Sequence, residues 1–236
     1  MSTNSSKVFA DAPSALFDLR DHVAIMSGGF GLCGNPENCI REIHKRKVKG
    51  LTILSNNCGN QGKGLAVLLK QRQVAKVVCS YVGGNPDLET QMLAGEVEVE
   101  LNPQGTFAER IRAGGVGLGG FFTPTGVGTV IAEGKEVREI DGRSYVFEKP
   151  LKADFAIIRD EYGDPYGNLR FKGTARNFSP HMAMAATVTV VEVDHLVPLG
   201  ELKPEDIHLP GVFVQRIFQG KDYEDVIEYR TTRPRI

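Results

Sequence analysis

A chain of 236 residues, 41% apolar and 24% charged, has the make-up of one globular domain, which excludes disorder, collagen-like repeats and coiled coil for the whole. Twenty-eight Lys and Arg against 29 Asp and Glu leave a formal charge of −1, without the broad basic field that nucleic acid requires. No apolar run approaches the ~20 residues of a membrane span, and the first residues carry no secretory h-region and are a weak match to a mitochondrial transit peptide.

The first half alternates strand and helix patterns. Residues 22–27 (HVAIMS) form a compact apolar run that ends at Gly28 and Gly29. Pro36 opens a helical stretch, PENCIREIHKRK, with Asn35 as the expected N-cap. LTILS (51–55) predicts the next buried strand, and a helix is expected near 62–72. KVVCSY (76–81) predicts a third strand, after which Asn85-Pro86 starts a helix closed by Gly95. EVEVEL (96–101) alternates with period two, the pattern of a strand with one polar face. Such alternation implies parallel strands joined by right-handed crossovers.

The middle changes character. RAGGVGLGGFFTPTGVGT (112–129) holds too much Gly and Pro for a regular element and predicts an irregular loop. Asp141-Gly142 between two alternating runs signals a β-hairpin. Buried strands return at 153–160 and 187–194 around a helix at about 179–186, and VFVQRIF (212–218) predicts the last strand. The expected fold is therefore α/β: an open, mostly parallel sheet flanked by helices, with an added β-hairpin. One domain spans 1–236, with 1–7 and 221–236 expected as tails.

Several patterns invite over-reading. Gly29-Phe30-Gly31-Leu32-Cys33-Gly34 matches GxGxxG between a strand and a helix, but the next strand runs into Asn56, Asn57 and Cys58, with no acid to hold a ribose. Tight turns and close packing explain much of that glycine pattern. Gly59 to Gly64 is too short for a phosphate loop and lacks the Ser or Thr after Lys63. His44 belongs to the basic end of a helix, and His208 is read as a structural contact. Cys33, Cys39, Cys58 and Cys79 form no CxxC pair and have no His at zinc-ligand spacing. They are read as reduced, buried thiols of a cytoplasmic protein, and no metal is expected.

What survives is a convergence. If the strands are parallel, Gly28-Gly29-Phe30-Gly31, Ser55-Asn56-Asn57 and Asn102-Pro103-Gln104-Gly105 all follow strand C-terminal ends, where open α/β sheets bind ligands. Thr106 and Glu109 have capping-box spacing, so a helix should begin right after Gln104 and hold that carboxamide rigidly. None of these residues is a strong nucleophile or base. Backbone N–H groups freed by glycine, with three side-chain amides, suit an oxyanion or a polarised carbonyl, where one well-aimed donor supplies ~3–4 kcal/mol. That is half of an active site.

IMSGGFGLCGNPENCI, TILSNNCG, SYVGGN, VELNPQGTFAERIRAGG, FFTPTGVGT, ARNF and EDIHLPG together resemble the alpha (A) half of family I coenzyme A transferases, most of all the 3-oxoacid type. The resemblance implies the open sheet shared with ribose-5-phosphate isomerase and CoA as a substrate, with no resident cofactor. It also implies a partner beta (B) chain that carries the glutamate nucleophile, in a heterodimer or heterotetramer. It implies that Gln104 binds the reacting carbonyl oxygen, and that Gly28, Gly29, Phe30, Gly31, Asn56 and Asn57 form the acyl site, with Thr125 and Gly126 in a nearby loop. Gly84 stands where the family often has Glu, which leaves the acid substrate open between a 3-oxo acid such as acetoacetate, 3-oxoadipate and a short acid of the acetate type. A sugar-phosphate isomerase or a CoA sensor on the same fold are the competing readings.

Overall fold

The computed structural model describes residues 6–60, 62–225 and 227. Its helices are α1 (Ala12–Ala15), α2 (Glu37–Arg46), α3 (Ala66–Lys70), α4 (Pro86–Leu93), α5 (Gln104–Val116) and α6 (Ser179–Ala185). The first strands are β1 (Ala24–Ser27), β2 (Leu51–Leu54), β3 (Val74–Cys79) and β4 (Glu98–Leu101). The small middle strands are β5 (Phe121–Thr123), β6 (Val137–Ile140) and β7 (Arg143–Glu148). The last four are β8 (Ala153–Gly163), β9 (Leu169–Arg170), β10 (Ala186–Leu196) and β11 (Arg216–Gln219).

The main sheet runs in the order β11-β10-β8-β1-β2-β3-β4, with β9 paired to β8. All neighbours along that path are parallel; only β9 is antiparallel. The chain moves outward from β1 to β4, then returns to β8 on the other side of β1 and moves outward again. The order therefore reverses between β1 and β8, the place where an open sheet leaves a crevice. Consecutive residues of each inner strand feed opposite cores. Ile25, Ile53 and Val77 pack with Ile40, Ile43, Leu68, Leu69 and Leu88 of α2–α4. Met26, Leu54 and Val78 pack with Phe107, Ile111 and Met182 of α5 and α6. Burial on both faces explains why these strands read as short continuous apolar runs.

Several boundaries differ from the sequence expectation. Pro36, not Asn35, precedes α2 as its cap residue, and no side chain caps the helix. The Asn35 carboxamide instead lies against Gly29 and Gly64, so packing claims the group that would have capped. The helix expected at 62–72 shrinks to α3, because Asn60 and Lys63 close a tight turn with reciprocal backbone hydrogen bonds of 3.2 and 2.9 Å. Within the irregular stretch at 112–129, α5 continues through Gly114-Gly115, and β5 pairs with β7 to make a three-stranded sheet of the hairpin. The two glycines let α5 approach the Leu151 carbonyl and Met184, contacts that a Cβ would block. A short 3-10 turn, Gly211–Phe213, replaces the first half of the last expected strand. The helix α1, capped reciprocally by Asp11 and Ser14, had not been expected.

Of the segments expected as tails, Lys7 donates to the Tyr166 and Gly211 carbonyls, and residues 221–225 are fastened to α2. Residues 1–5, 226 and 228–236 of those segments lie outside the described residues. Cys33 is exposed, correcting its reading as a buried thiol; Cys39, Cys58 and Cys79 are buried and free of disulfides. His208 is structural as expected, its Nδ1 accepting from the Phe171 N–H at 2.9 Å. No helix among the described residues is long and apolar enough to cross a membrane.

Candidate active site

The loops that follow β1, β2 and β3 and the N-terminus of α5 enclose a cleft of about 530 Å³. It is lined by Phe30, Gly31, Asn56, Asn57, Asn60, Ser80, Tyr81, Gly84 and Gln104. The convergence expected from parallel strands is thus present in space. Gln104 is the first residue of α5, so the helix starts one residue earlier than expected. Its Nε2 donates to Asn56 Oδ1 at 3.4 Å, and Ser80 Oγ donates to the same oxygen at 2.9 Å. The Gly31 N–H donates to Asn57 Oδ1 at 3.1 Å, tying the glycine loop to the asparagine pair. Asn56 and Asn57 are buried, whereas Gln104 is exposed toward the cleft mouth.

One chemical detail of the expectation changes. The N–H groups of Gly28 to Gly31 are all engaged inside the chain, with Ile157 O, Asn177 Oδ1, Cys33 O and Asn57 Oδ1 respectively. Glycine serves here for geometry, not for free donors: Gly29 has φ +106°, and the turn Phe30–Cys33 closes with backbone bonds in both directions. The donors able to reorganise toward a ligand are side chains. The long Gln104–Asn56 contact is the one most easily exchanged for a ligand oxygen.

No lining residue is an acid, a base or a thiol. Burial pushes the nearby Cys79 thiol up to about 11 and Cys58 higher still, so neither is a thiolate at neutral pH. Glu109, whose spacing suggested a capping box, caps nothing. It holds Arg112 through contacts of 2.6–3.1 Å, and that hydrogen-bonded guanidinium keeps its carboxyl below the usual range. Thr106 is buried instead, and α5 has no side-chain cap because Pro103, at the cap position, carries no side-chain acceptor.

Thr125 and Gly126 are not brought to the cleft wall. They sit on the turn after β5, where the Thr125 N–H donates to Thr123 Oγ1 and Gly126 O accepts from Thr129 Oγ1. Gly84, which stands where the family often has Glu, lines the cleft, and so do Asn60, Ser80 and Tyr81, which the sequence reading does not select. The signal was available: SYVGGN follows the third parallel strand, and the strand-end rule that selected Asn56 and Gln104 applies to it equally.

A coenzyme A transferase model matches residues 10–220. The chain belongs to the coenzyme A transferase family. It is 51% identical over 228 residues to the A chain of the succinyl-CoA:3-ketoacid coenzyme A transferase of Helicobacter pylori strain J99, covering 97% of this chain and 98% of that one. It is 45% identical over 244 residues to the human mitochondrial succinyl-CoA:3-ketoacid coenzyme A transferase 2, where it covers 96% of itself but 47% of the relative. Among solved structures, an acyl-CoA transferase from E. coli O157:H7 in a thioester complex with CoA superposes with a TM-score of 0.84 at 18% identity. That match covers 94% of this chain and 49% of the other, and at this identity it speaks for the fold alone. The chain thus spans about half the length of the longer relatives it matches and nearly all of the Helicobacter one.

Proposed function

We propose that this transferase-family chain is the alpha half of a heteromeric enzyme that moves CoA from succinyl-CoA to a 3-oxo acid such as acetoacetate. In this reading a beta partner supplies the attacking glutamate, in a heterodimer or heterotetramer working in the cytoplasm. One observation carries the reading: the cleft at the sheet's C-terminal edge gathers amides, Asn56, Asn57 and Gln104 among them, while no carboxylate, imidazole or thiol lines it. The human relative is about twice as long as the segment it shares with this chain, which leaves room for a second half in one polypeptide.

The chemistry needs what the cleft offers. The partner's carboxylate attacks the thioester carbonyl, the C–S bond breaks, and CoA leaves as thiolate with an acyl-glutamyl anhydride behind it. The thiolate then attacks the glutamyl carbonyl and releases succinate, giving a glutamyl-CoA thioester. The acceptor carboxylate repeats the steps in reverse order. Each addition places negative charge on a carbonyl oxygen. In this reading Gln104 Nε2 gives up its 3.4 Å contact with Asn56 and donates to that charge. Asn56 and Asn57, buried and tied to Ser80 and Gly31, hold the cleft floor fixed, so that the Gln104 side chain moves against a rigid wall.

The test is reconstitution. The chain alone should exchange no CoA between succinate and acetoacetate, and addition of a glutamate-bearing beta partner should start the exchange. Transfer by the pure chain, or silence of the folded pair with every short acid offered, overturns the proposal.

A further inference from the structure

The turn between the 3-10 segment Gly173–Arg176 and α6 holds a backbone outlier. Asn177 has φ +31° and ψ −124°, a conformation that a residue with a Cβ adopts only when its surroundings enforce it. The enforcement is visible. Asn177 N–H donates to Thr174 O at 3.1 Å, and its Nδ2 donates to Ala175 O at 2.7 Å. Its Oδ1 accepts from the Phe178 N–H at 2.6 Å, from the Gly29 N–H at 3.3 Å, and marginally from Ser179 Oγ at 3.5 Å. A single strained carboxamide thus joins the start of α6 to the glycine loop across 148 residues of sequence.

Two further contacts extend from the same turn toward the cleft. The Phe178 ring stacks on Phe30, a cleft residue, with centroids 6.4 Å apart and planes 19° apart. It also meets Phe107 edge-on at 5.6 Å, and Phe107 is fully buried on α5, one turn after Gln104. Ser179 Oγ occupies the space beside Gly28, 2.7 Å from where a Cβ would stand. The loop that Asn177 grips continues to Gly31, whose N–H reaches Asn57, whose neighbour Asn56 holds Gln104.

We infer that Asn177 is a positioning residue for the transferase reaction: its strained carboxamide fixes Gly29, and with the Phe178 ring sets where Phe30, Asn57 and Gln104 stand in the cleft. It does not line the cleft. The inference rests on the transferase reading above for its consequence in turnover, but not for its structural content.

Two variants and two readouts decide it. Asn177→Gly accepts the backbone angles yet deletes the carboxamide; Asn177→Asp keeps an acceptor for Gly29 but turns an oxygen toward the Ala175 carbonyl in place of the bond, a repulsion that the exposed turn 173–176 can relieve by shifting. In the complete chain, hydrogen exchange followed by mass spectrometry should show amides 29–31 of Asn177→Gly exchanging about tenfold or more faster, with β1 and β2 unchanged and Asn177→Asp close to the parent. In the enzyme reconstituted with its beta partner, kcat for CoA exchange should fall about tenfold or more for Asn177→Gly at a KM for succinyl-CoA within about threefold, and Asn177→Asp should restore most of it. An unchanged exchange rate in the loop, a global rise across the sheet, failure of Asn177→Gly to fold, or an Asp variant no better than the Gly variant each overturns the inference. A parent pair without activity overturns the transferase reading alone, and the exchange of amides 29–31 still decides the role of Asn177.

Discussion

Two regions share the C-terminal edge of one parallel sheet, on either side of its reversal between β1 and β8, and they are built oppositely. On the β1–β4 side lies the cleft, neutral, lined by amides and two exposed aromatic rings, with a 3.4 Å contact as its weakest bond. On the β8–β10 side the sheet ends in a dense ionic network. Arg159 donates to Asp194 at 2.9 Å and Asp225 at 2.7 Å, stands 3.9 Å from Glu37, and covers the Tyr223 ring at 3.4 Å. Burial works against the Arg159 charge, but Asp194 and Asp225 outweigh it and hold the guanidinium protonated. Glu192, fully buried, accepts from the first-turn N–H groups of Asn38 and Cys39. The difference separates a region whose polar groups, Asp160 Oδ2 apart, are committed to one another from one whose weakest polar contact can be traded for a ligand. Under the proposed function, charge density is therefore a poor guide to the reactive end of this sheet. Uncommitted donors are the better one.

The sharpest way to break that comparison is Gln104→Ala in the reconstituted enzyme. Turnover should fall about 100-fold or more, the loss of one oxyanion donor, while thermal unfolding stays unchanged because the side chain is exposed. A retained turnover number would remove Gln104 from the reaction. The mirror experiment is Arg159→Ala. Its carboxylate partners Asp194 and Asp225 are partly exposed and can rehydrate, so the loss should be about 1–3 kcal/mol, or roughly 2–4 °C in Tm per kcal/mol for a chain of this size. The expected kcat is that of the parent, and limited proteolysis should now cut near residues 221–225. A kcat that falls with a steady Tm would show the two regions to be coupled.

Asp160 sharpens the contrast through pH. Its Oδ1 accepts from the Glu161 N–H at 2.6 Å, its Oδ2 is buried without a partner, and burial pushes its carboxyl up to about 8, aided by Asp194 and Glu161 and opposed by Arg170. The unfolded chain releases that proton near pH 3.8, so between there and about 8 the folded state binds more protons and stability falls as pH rises. Asp160→Asn removes the dependence. Relative to the parent, its Tm should gain by several degrees from pH 4.5 to pH 8.5, with little difference at the acid end. A parallel pair of Tm curves would show that Asp160 is ionised in the fold throughout.

Much of the fold was legible because strands buried on both faces leave short continuous apolar runs, as at Ala24–Met26 of β1, Val77–Cys79 of β3 and Phe155–Ile158 of β8. The cleft was legible for a topological reason: parallel strands place their C-terminal loops together, so Asn56 and Gln104 could be paired before any distance was known. What failed was local. Gly114-Gly115 looked like loop and proved to be the packing face of a helix, because glycine content does not distinguish flexibility from close approach. The Thr106–Glu109 spacing looked like a capping box, but Arg112 competes more strongly than the backbone for Glu109. Free N–H groups in the glycine loop were expected from glycine alone, and only the structure shows that Asn177, 148 residues away, takes one of them.

The smallest effect concerns the outer wall of the cleft. Gly84 has φ +73°, and a Cβ there would stand 2.7 Å from Asn60 Oδ1 and 3.2–3.3 Å from the rest of the carboxamide, so the Asn60 amide lies flat against the glycine. Asn60 cannot retreat easily, since its backbone is pinned to Lys63 in both directions. Gly84→Ala must therefore swing the carboxamide toward the cleft, at about 1 kcal/mol of backbone strain besides. The acceptor acid then meets a narrower wall while Gln104, on another element, keeps its place. The expected result is a KM for the 3-oxo acid raised about threefold to tenfold, a kcat within about twofold, and a larger penalty for longer acids than for acetate. Equal penalties for short and long acids would mean that the Asn60–Gly84 wall does not bound the acyl chain, and that selectivity is set on the partner's side of the cleft.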